Sequence, residues 1–524
     1  MSIPVSVGVT GHRKLRQEDL PQLRQLVRGE LQKIKDICPN SELIMVNSIA
    51  SGADSLCAEE ALELGYKLIC PLPVEEEIYL LDFSPEELAV YQKLRNQAED
   101  VFVAPATEEG MPERHFNFRQ AGLYIANHCH VLMALWNGSD PKPGGCGTAE
   151  IVDYKLNGNQ TAPEIFHSRE DNFVLHVVTP TTAAEKGLKP EVKLLEAEKG
   201  GLEALLKETD SFNRDCAHME SKQKTLVDMP EKTAVIRRLE SCYSAAAGMS
   251  GRFQEKYLKA LRNLSLFCVL LVICYTLYDE ADLMWMLICF GFILVFYYLV
   301  YRRILHGDYH QKYIRCRMLA ESLRVQTYMS AIGEKVNVAH YYVRTQKKHT
   351  LWIKTAIGAL TAGHTGNSLE TEIICEAWVE LQHKYHKSAY IKNHRKDELC
   401  DRISKLMLSC MIVLFVVVFI LEYAFPSVME GTLFGLHLRN CLKILWSSIS
   451  AVTVFVSGYY GHLSFSRKSA DNAAMEKLFA EAYSKCLSER YDSKEVLRQL
   501  AREEIIENGN WASYCMENTP TFSL

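Results

Sequence analysis

The chain has 524 residues, a hydrophobic share of 48% and a formal net charge of −6. This length predicts about three domains, and the slightly acidic balance gives no general reason to expect a nucleic-acid partner. The 17 cysteines show no CxxC pair and no disulfide-like spacing, which is typical of reduced thiols in a cytosolic or membrane protein. The start of the chain lacks a charged segment followed by an apolar one, so no cleaved signal peptide is expected.

The first 180 residues alternate β-rich apolar runs with helical patterns. Strands are predicted at 3–10, 43–46, 66–70, 101–104, 131–135 and 173–178, with helices between them. Because parallel strands are joined by right-handed crossovers, this alternation predicts an α/β fold with a Rossmann-like, doubly wound parallel sheet. Loops at the carboxyl ends of such strands meet in one crevice, which is where ligands bind.

The glycine-rich stretch 144–150 is the strongest motif in the chain, and it lies between the fifth strand and a helix. Glycines let a backbone approach a phosphate closely, and a helix N-terminus adds unpaired N–H groups and a partial positive charge. Thr148 is expected to cap the helix and to offer its hydroxyl to the phosphate. A glycine-rich turn without a ligand is the alternative. The candidate ligand-binding residues of this loop are Gly144, Gly145, Gly147, Thr148 and Glu150.

Two other polar loops, at 10–13 and 48–54, also follow strand ends. Their convergence with the glycine loop favours a nucleotide-type pocket. Arg13 is expected to pair with a ligand phosphate. Asp54 either holds a ribose hydroxyl or only caps a helix, and Arg119 is either a phosphate ligand or a solvated helix residue. The candidate residues outside the glycine loop are Gly11, Arg13, Ser51, Gly52, Asp54 and Arg119.

Histidines and cysteines do not predict a metal site. In the run His128-Cys129-His130, alternation along a strand places Cys129 on the face opposite both histidines. His306 and His310 share a helix face but have no third ligand nearby in the sequence.

Several of these motifs together resemble the SLOG superfamily. They are Val-Gly-Val-Thr-Gly-His-Arg at 7–13, Ser-Gly-Ala-Asp at 51–54, Arg119, and Gly-Gly-x-Gly-Thr at 144–148. This Rossmann-like group includes the LOG nucleotide hydrolases, the DprA DNA-processing proteins and the ligand-sensing domain of melastatin-type TRP channels. The resemblance covers roughly residues 1–180. It implies a nucleotide or ADP-ribose-like ligand and no required cofactor.

The resemblance supports ligand binding more than hydrolysis. LOG hydrolases continue the motif as GGxGTxxE, whereas Ile151 occupies the acidic position here and Glu150 precedes it. One residue corresponds to about 100° around a helix, so Glu150 is displaced from the position of the hydrolase carboxylate. No catalytic residue is therefore predicted, and Glu150 is the only candidate for that role.

Four apolar runs in the second half predict transmembrane helices at 264–278, 283–301, 403–425 and 442–464. Each is close to the twenty residues that a crossing needs, and the helical pattern at 257–261 extends the first one. Lysines and arginines precede the first span and follow the second span of each hairpin. The short loop between the first two spans carries acidic residues and no basic one. The positive-inside rule therefore predicts a multi-pass protein of the cell inner membrane with both termini cytoplasmic.

The predicted division is a nucleotide-sensing domain at 1–180, a helical linker at 181–250, a two-span hairpin at 251–335, a cytoplasmic connector at 336–402, a second hairpin at 403–490 and a tail at 491–524. The two hairpins repeat one layout. The region 250–490 resembles SLATT, the two-span effector module that accompanies SLOG sensors in bacterial conflict defence. Hydroxylated residues of the fourth span either pack within the monomer or line a pore.

The expected function is that of a ligand-gated membrane effector in bacterial conflict or antiphage defence. A cytoplasmic nucleotide-sensing domain would control a pore-forming or membrane-disrupting domain. The expected partners are a nucleotide-derived small molecule, the lipid bilayer and further copies of the chain, because four spans with little polar lining cannot enclose a water path alone. Two alternatives are a membrane-anchored hydrolase of a nucleotide N-glycosidic bond and an anchored signalling scaffold.

Overall fold

The computed structural model describes residues 2–106, 114–142, 145–158, 172–181, 188–218, 223–229, 231–364, 366 and 368–518. The chain forms two compact units, each assembled from stretches that are distant in sequence. The first unit comprises Met1–Met249, Cys316–Ile374 and Leu497–Ser513. The second unit comprises Ser250–Arg315, Cys375–Val496 and Tyr514–Leu524. Much of the predicted linker and connector therefore belongs to the first unit.

The first unit is built on a sheet that has seven strands within the described residues. The strands are β1 (Val5–Gly11), β2 (Leu43–Val46), β3 (Lys67–Leu72), β4 (Asp100–Val103), β5 (Val131–Trp136), β6 (Val174–Val178) and β7 (Val192–Leu195). Their order is β4-β3-β2-β1-β5-β6-β7, and β1 to β6 run parallel. The predicted α/β class with a parallel-dominated sheet is confirmed.

The edge strand β7 departs from the prediction, which places no strand after 178. It pairs antiparallel to β6, with Val174 opposite Leu195, so the sheet is mixed. β7 has four residues and its side chains are partly or fully exposed. Such a short run lacks a buried alternating face, and its pairing with β6 determines its conformation.

Helices cover both faces of this sheet because side chains alternate along each strand. Met133 of β5 points to one face, where its sulfur lies 3.9 Å from the Cys57 sulfur of α2. Leu132 and Ala134 point to the other face and share a buried core with α5 and α6. The helices of this region are α1 (Leu20–Ile37), α2 (Ala53–Glu63), α3 (Glu76–Tyr79), α4 (Pro85–Arg95), α5 (Arg114–Asn127), α6 (Thr148–Asn157) and α7 (Gly201–Ala217).

The rest of the chain is helical apart from one small hairpin. A π-helical turn at Cys375–Glu380 lies between α12 and α13. The helices are α8 (Ala234–Ala281), α9 (Trp285–Gly307), α10 (Tyr309–Ala331), α11 (Lys347–Thr361), α12 (Thr371–Ile374), α13 (Leu381–Ala424), α14 (Pro426–Met429), α15 (Leu438–Leu463), α16 (Phe465–Cys486) and α17 (Ser493–Glu517). The hairpin is formed by β8 (Thr432–Leu433) and β9 (Leu436–His437).

Four helical stretches of the described chain are long and apolar enough to cross a membrane. They are Ala234–Ala281, Trp285–Ala331, Thr371–Ala424 and Leu438–Cys486, and their most apolar windows have mean hydropathies of 1.9, 1.8, 2.7 and 1.5. Each contains one of the predicted spans apart from at most two residues at one end. Almost none of the last three windows is buried. So large an exposed apolar surface is typical of helices that face lipid, which supports the membrane assignment.

The start of α8 is fixed within the first unit by the loop after α11. The guanidinium of Arg238 donates a hydrogen bond to the carbonyl of Ala362. The next residue, Gly363, donates its N–H to the hydroxyl of Tyr124 on α5 at 2.9 Å. Tyr124 and Ala362 both belong to the buried core, so these bonds join α5, the loop and the start of α8 into one packed assembly.

A buried ion cluster joins α10 to α17, also within the first unit. Arg324 is 12% exposed and pairs with Glu321 at 2.6 Å and with Glu504. The two carboxylates hold the pKa of Arg324 above its ordinary value despite the burial. Removing one partner of such a buried set would strand a charge, so the cluster fixes how these two segments pack.

The chain passes between the two units inside helices. The boundaries fall within α8 after Met249, within α10 after Arg315, at the start of the π-helical turn after Ile374, and within α17 after Val496 and again after Ser513. A helical connection transmits a displacement of its end more faithfully than a flexible loop does.

Candidate functional site

A cleft of about 660 Å³ opens at the carboxyl end of β1 and β5 in the first unit. These neighbouring strands are the point where the sheet order reverses, since β1 is followed by β2 on one side and β5 lies on the other. Gly11, the last residue of β1, pairs in register with Leu135 of β5. In open α/β sheets such a reversal is the expected ligand site.

Glycines allow the loop after β1 to pack against the start of α2. A Cβ on Gly11 would collide with the Cβ of Ala53. Gly52 precedes α2 with a φ of +83°, and a Cβ there would collide with the carbonyl oxygen of Arg13. Both glycines therefore allow a backbone approach that brings α2 to the cleft.

We expect Gly52→Ala to lower the free energy of unfolding by about 2 kcal/mol, against about 1 kcal/mol for Gly65→Ala. Gly65 has a φ of +86° but open space around it, whereas Gly52 combines positive φ with a backbone collision. The comparison separates conformational strain from overlap. Denaturant unfolding of the detergent-solubilised protein measures it, and equal losses for the two variants would contradict the close approach.

The glycine loop reaches the cleft through Gly145, Cys146 and Gly147, while Gly144 lies outside the described residues. Gly147 is the N-cap of α6 and makes no side-chain cap bond. Thr148 is the first helical residue, so the prediction that it caps the helix is wrong by one position. The extended backbone of Gly147 leaves the first N–H groups of α6 at the cleft, where an anion is favoured.

Glu150 lines the cleft, but its carboxylate turns back to its own loop. Its Oε1 accepts a hydrogen bond from the backbone N–H of Lys142 at 2.6 Å. A Cβ on Gly145 would collide with this same oxygen. The carboxylate therefore holds the loop closed, and this engagement counts against a role in bond cleavage. The position of the hydrolase carboxylate, Ile151, is buried against Gly122 of α5.

Arg119 supports the loop as well. It lies in the second turn of α5, and its Nη1 donates to the carbonyl of Gly145 at 3.4 Å. The Ser51 hydroxyl interacts with the carboxylate of Glu87 on α4 and contributes to lowering its pKa. Of the predicted residues, Gly11, Arg13, Asp54, Gly145, Gly147, Thr148 and Glu150 line the cleft.

Asp54 is the most perturbed acid of the cleft. It lies in the first turn of α2 and is 8% exposed. Burial raises its pKa from 3.8 to about 7, although a hydrogen bond from the backbone of Ala50 and the charge of Arg13 act in the opposite direction. A carboxyl that titrates near neutrality in a cleft is a candidate for contact with ligand hydroxyls.

Two arginines flank one aromatic ring at the cleft, a feature that the sequence analysis missed in part. The guanidinium carbons of Arg13 and Arg114 lie 5.2 Å and 5.5 Å from the ring centre of Phe118. Both arginines also pair with Asp82, Arg13 at 3.5 Å. Asp82 thus orients the guanidinium groups of Arg13 and Arg114, and both groups can bind a phosphate. Nothing in the sequence pattern connects these residues, because they come from three separate elements.

A thiol and an imidazole also meet in the cleft. The Cys146 sulfur lies 3.6 Å from Nδ1 of His115. Burial, with a contribution from the Glu150 carboxylate, raises the pKa of the Cys146 thiol. A thiol held in its protonated form is a poor nucleophile, so this pair does not indicate covalent catalysis.

His128 and His130, the two histidines of the run at 128–130, bond to different partners. His128 stacks on Tyr124 with ring centres 3.8 Å apart, and burial lowers its pKa to about 4. His130 bonds through Nδ1 to the hydroxyl of Ser6 at 2.9 Å. Within the described part of the chain, no group of three or more histidine, cysteine or carboxylate side chains could hold a metal ion.

No model of a known protein family matches the chain, and no curated protein sequence matches it. Function is therefore inferred from the cleft and the membrane helices themselves. Chemically, the cleft combines a helix N-terminus, two guanidiniums that share one carboxylate, a buried carboxyl and an aromatic ring. This set suits a ligand that carries phosphate together with hydroxyls and a ring.

Proposed function

We propose that this chain is a membrane protein whose α/β unit senses a phosphate-bearing nucleotide or an ADP-ribose-like molecule, and that ligand binding controls the membrane-spanning helices. The observation that carries the proposal is the cleft at the β1/β5 reversal, where the glycine loop and the N-terminus of α6 meet Arg13. The resemblance to SLOG sensors and SLATT effectors, and a role in bacterial defence, form part of this proposal.

In the proposed complex a phosphate lies against Gly145, Gly147 and the first N–H groups of α6. A second anionic group of the ligand engages Arg13 and Arg114, and Asp54 accepts a hydrogen bond from a sugar hydroxyl. Each role follows from charge and donor geometry. The hydrolase alternative has less support, because the Oε1 of Glu150 is bonded to Lys142.

The proposed coupling runs through α5 and α8. α5 carries Arg114 and Phe118 at the cleft and Tyr124 nearer its end. Tyr124 bonds to Gly363, and Ala362 accepts a bond from Arg238 near the start of α8. α8 continues as one helix to Ala281 and contains the first candidate span. A ligand that shifts α5 would thus bias the membrane helices, to the extent that it prefers one arrangement.

A test of this coupling is Tyr124→Phe, which removes the hydroxyl that bonds to Gly363. We expect unchanged ADP-ribose affinity but about a fivefold weaker permeability response in liposomes, since one such bond contributes about 1 kcal/mol. Tyr154→Phe is the matched control, because its hydroxyl donates a hydrogen bond to Asn127 at 3.1 Å within the same α/β region. Equal effects of the two variants would count against the α5–α8 route.

The spans are proposed to lie in the cell inner membrane with both termini in the cytoplasm, and the effector is proposed to be a homo-oligomer. Cysteines introduced beside Asp282 and Gly431, in the short loops between paired spans, should react with an impermeant thiol reagent from outside the cell. A cysteine beside His340 should be protected until the membrane is permeabilised. Outside labelling at the His340 position would overturn this topology.

Identification of the ligand is the first test of the proposal. The full chain purified in mild detergent should release a nucleotide-derived molecule on denaturation, and ADP-ribose or a mononucleotide should bind in calorimetric titration. Absence of binding by any phosphate-bearing nucleotide would favour an anchored scaffold instead.

A further inference from the structure

Rings and lysines meet at the base of the first membrane hairpin. The rings of Phe253 on α8 and Tyr309 on α10 stack with centres 6.3 Å apart. The Lys256 ammonium lies 5.3 Å from the ring centre of Tyr309 and 5.8 Å from that of Phe253. The Lys312 ammonium lies 5.4 Å from the ring centre of Phe253. We name these four residues the first ring–lysine cluster.

The second hairpin has the same arrangement around one ring. The ammonium of Lys396 on α13 lies 5.2 Å from the ring centre of Phe465, and that of Lys468 on α16 lies 5.8 Å from it. These three residues are the second ring–lysine cluster. In each cluster one lysine comes from the helix that enters the membrane and the other from the helix that follows the second span.

The two clusters occupy equivalent positions in the two hairpins. The second span of each hairpin ends at a residue in the left-handed conformation, Asp308 with a φ of 45° and Ser464 with a φ of 47°. An aromatic residue follows at once, and a lysine comes three residues later. The buried positions of α16 also correspond to buried positions of α10 at the same interval. The cluster is therefore a feature of the repeated hairpin and not of one local packing arrangement.

Two ammonium groups beside one ring concentrate positive charge, which favours a nearby anion in addition to the Asp308 carboxylate that already interacts with Lys312. The clusters lie within a few helical turns of the apolar windows, at the end of each hairpin where both of its helices leave the membrane. Lysine side chains are long enough to reach the headgroup layer from such positions. Phosphodiesters of anionic lipids are the anions concentrated there, and each lysine near them contributes about 1 kcal/mol of attraction.

We propose that each ring–lysine cluster binds the phosphate of an anionic glycerophospholipid, so that one protomer holds two such lipids at its hairpin bases. This site does not depend on the nucleotide cleft. Lipid composition would then affect the packing of the hairpins, because the bound phosphate bridges the helix that enters the membrane and the helix that leaves it.

Native mass spectrometry of the full chain in detergent, titrated with phosphatidylglycerol or with phosphatidylcholine of the same acyl chains, tests the proposal. The wild type should bind two phosphatidylglycerol molecules in preference to phosphatidylcholine. Lys256→Gln with Lys312→Gln should weaken one of them about thirtyfold, and Lys396→Gln with Lys468→Gln the other. Arg303→Gln with Lys392→Gln is the control, since it removes two exposed charges of the same helical hairpins that belong to neither cluster.

The control pair should change binding by less than twofold. Equal binding of the two lipids by the wild type, or an equal loss in the control pair, would overturn the proposal in favour of diffuse attraction. Displacement of phosphatidylglycerol by an excess of inorganic phosphate, with no preference for the lipid, would also overturn it, because the site would then recognise a free anion.

Discussion

Replacing Gly145 with aspartate is expected to lower the affinity for ADP-ribose at least a hundredfold, about 2.8 kcal/mol. The new side chain would start where the Oε1 of Glu150 now lies. It would push that carboxylate away from the N–H of Lys142 and place a negative charge beside the proposed phosphate. Both the shape of the loop and its electrostatics would therefore oppose binding. Isothermal titration of the full chain in detergent measures the effect.

Gly29→Asp is the matched control for this variant. Gly29 lies in α1 of the same unit, and a Cβ there would meet no atom within 4 Å. The control should bind ADP-ribose like the wild type. Wild-type affinity in Gly145→Asp, measured on protein with an unchanged unfolding midpoint, would refute the phosphate position.

The second large effect concerns Asp54 and pH. Its pKa is about 7 in the folded protein and 3.8 when unperturbed, because burial disfavours the charged carboxylate. Below about pH 3 the carboxyl is protonated in both states and costs nothing. As the pH rises toward 7 the unfolded state loses its proton first, so the wild type loses stability, and the full cost persists above pH 7.

The asparagine variant cannot ionise, so it escapes this cost. The free energy of unfolding of Asp54→Asn, relative to the wild type, should rise by about 4 kcal/mol between pH 3 and pH 8. Asp140→Asn, which removes an exposed carboxylate from the same cleft, is the control for the loss of one charge there. Parallel pH profiles for Asp54→Asn and the wild type would show that the carboxyl is hydrated, not buried.

The hydrophobic pattern of the sequence predicted the buried strands and the membrane spans. The apolar runs of β1, β2 and β5 and of the four spans lie within a few residues of the observed elements, because burial of such runs leaves few alternatives. The prediction placed the N-cap of α6 at Thr148, one residue after the observed N-cap, Gly147. The choice between these two neighbouring residues depends on the geometry of the loop.

What the sequence did not reveal depends on contacts between distant segments. Arg114, Phe118 and Asp82 form one group only because the loop after β3 folds over the start of α5. The turn of the Glu150 carboxylate toward its own loop depends on where the backbone of Lys142 lies. The inclusion of Cys316–Ile374 and Leu497–Ser513 in the first unit likewise depends on tertiary packing, which no local periodicity encodes.

The most direct test of ligand control is dye release from liposomes that contain the full chain. ADP-ribose added on the side of the α/β unit should trigger release from liposomes with the wild type and with Gly29→Asp, and none with Gly145→Asp. Release that is independent of ADP-ribose and of every other nucleotide tested, or equal release with Gly145→Asp, would contradict control of the membrane helices by the cleft.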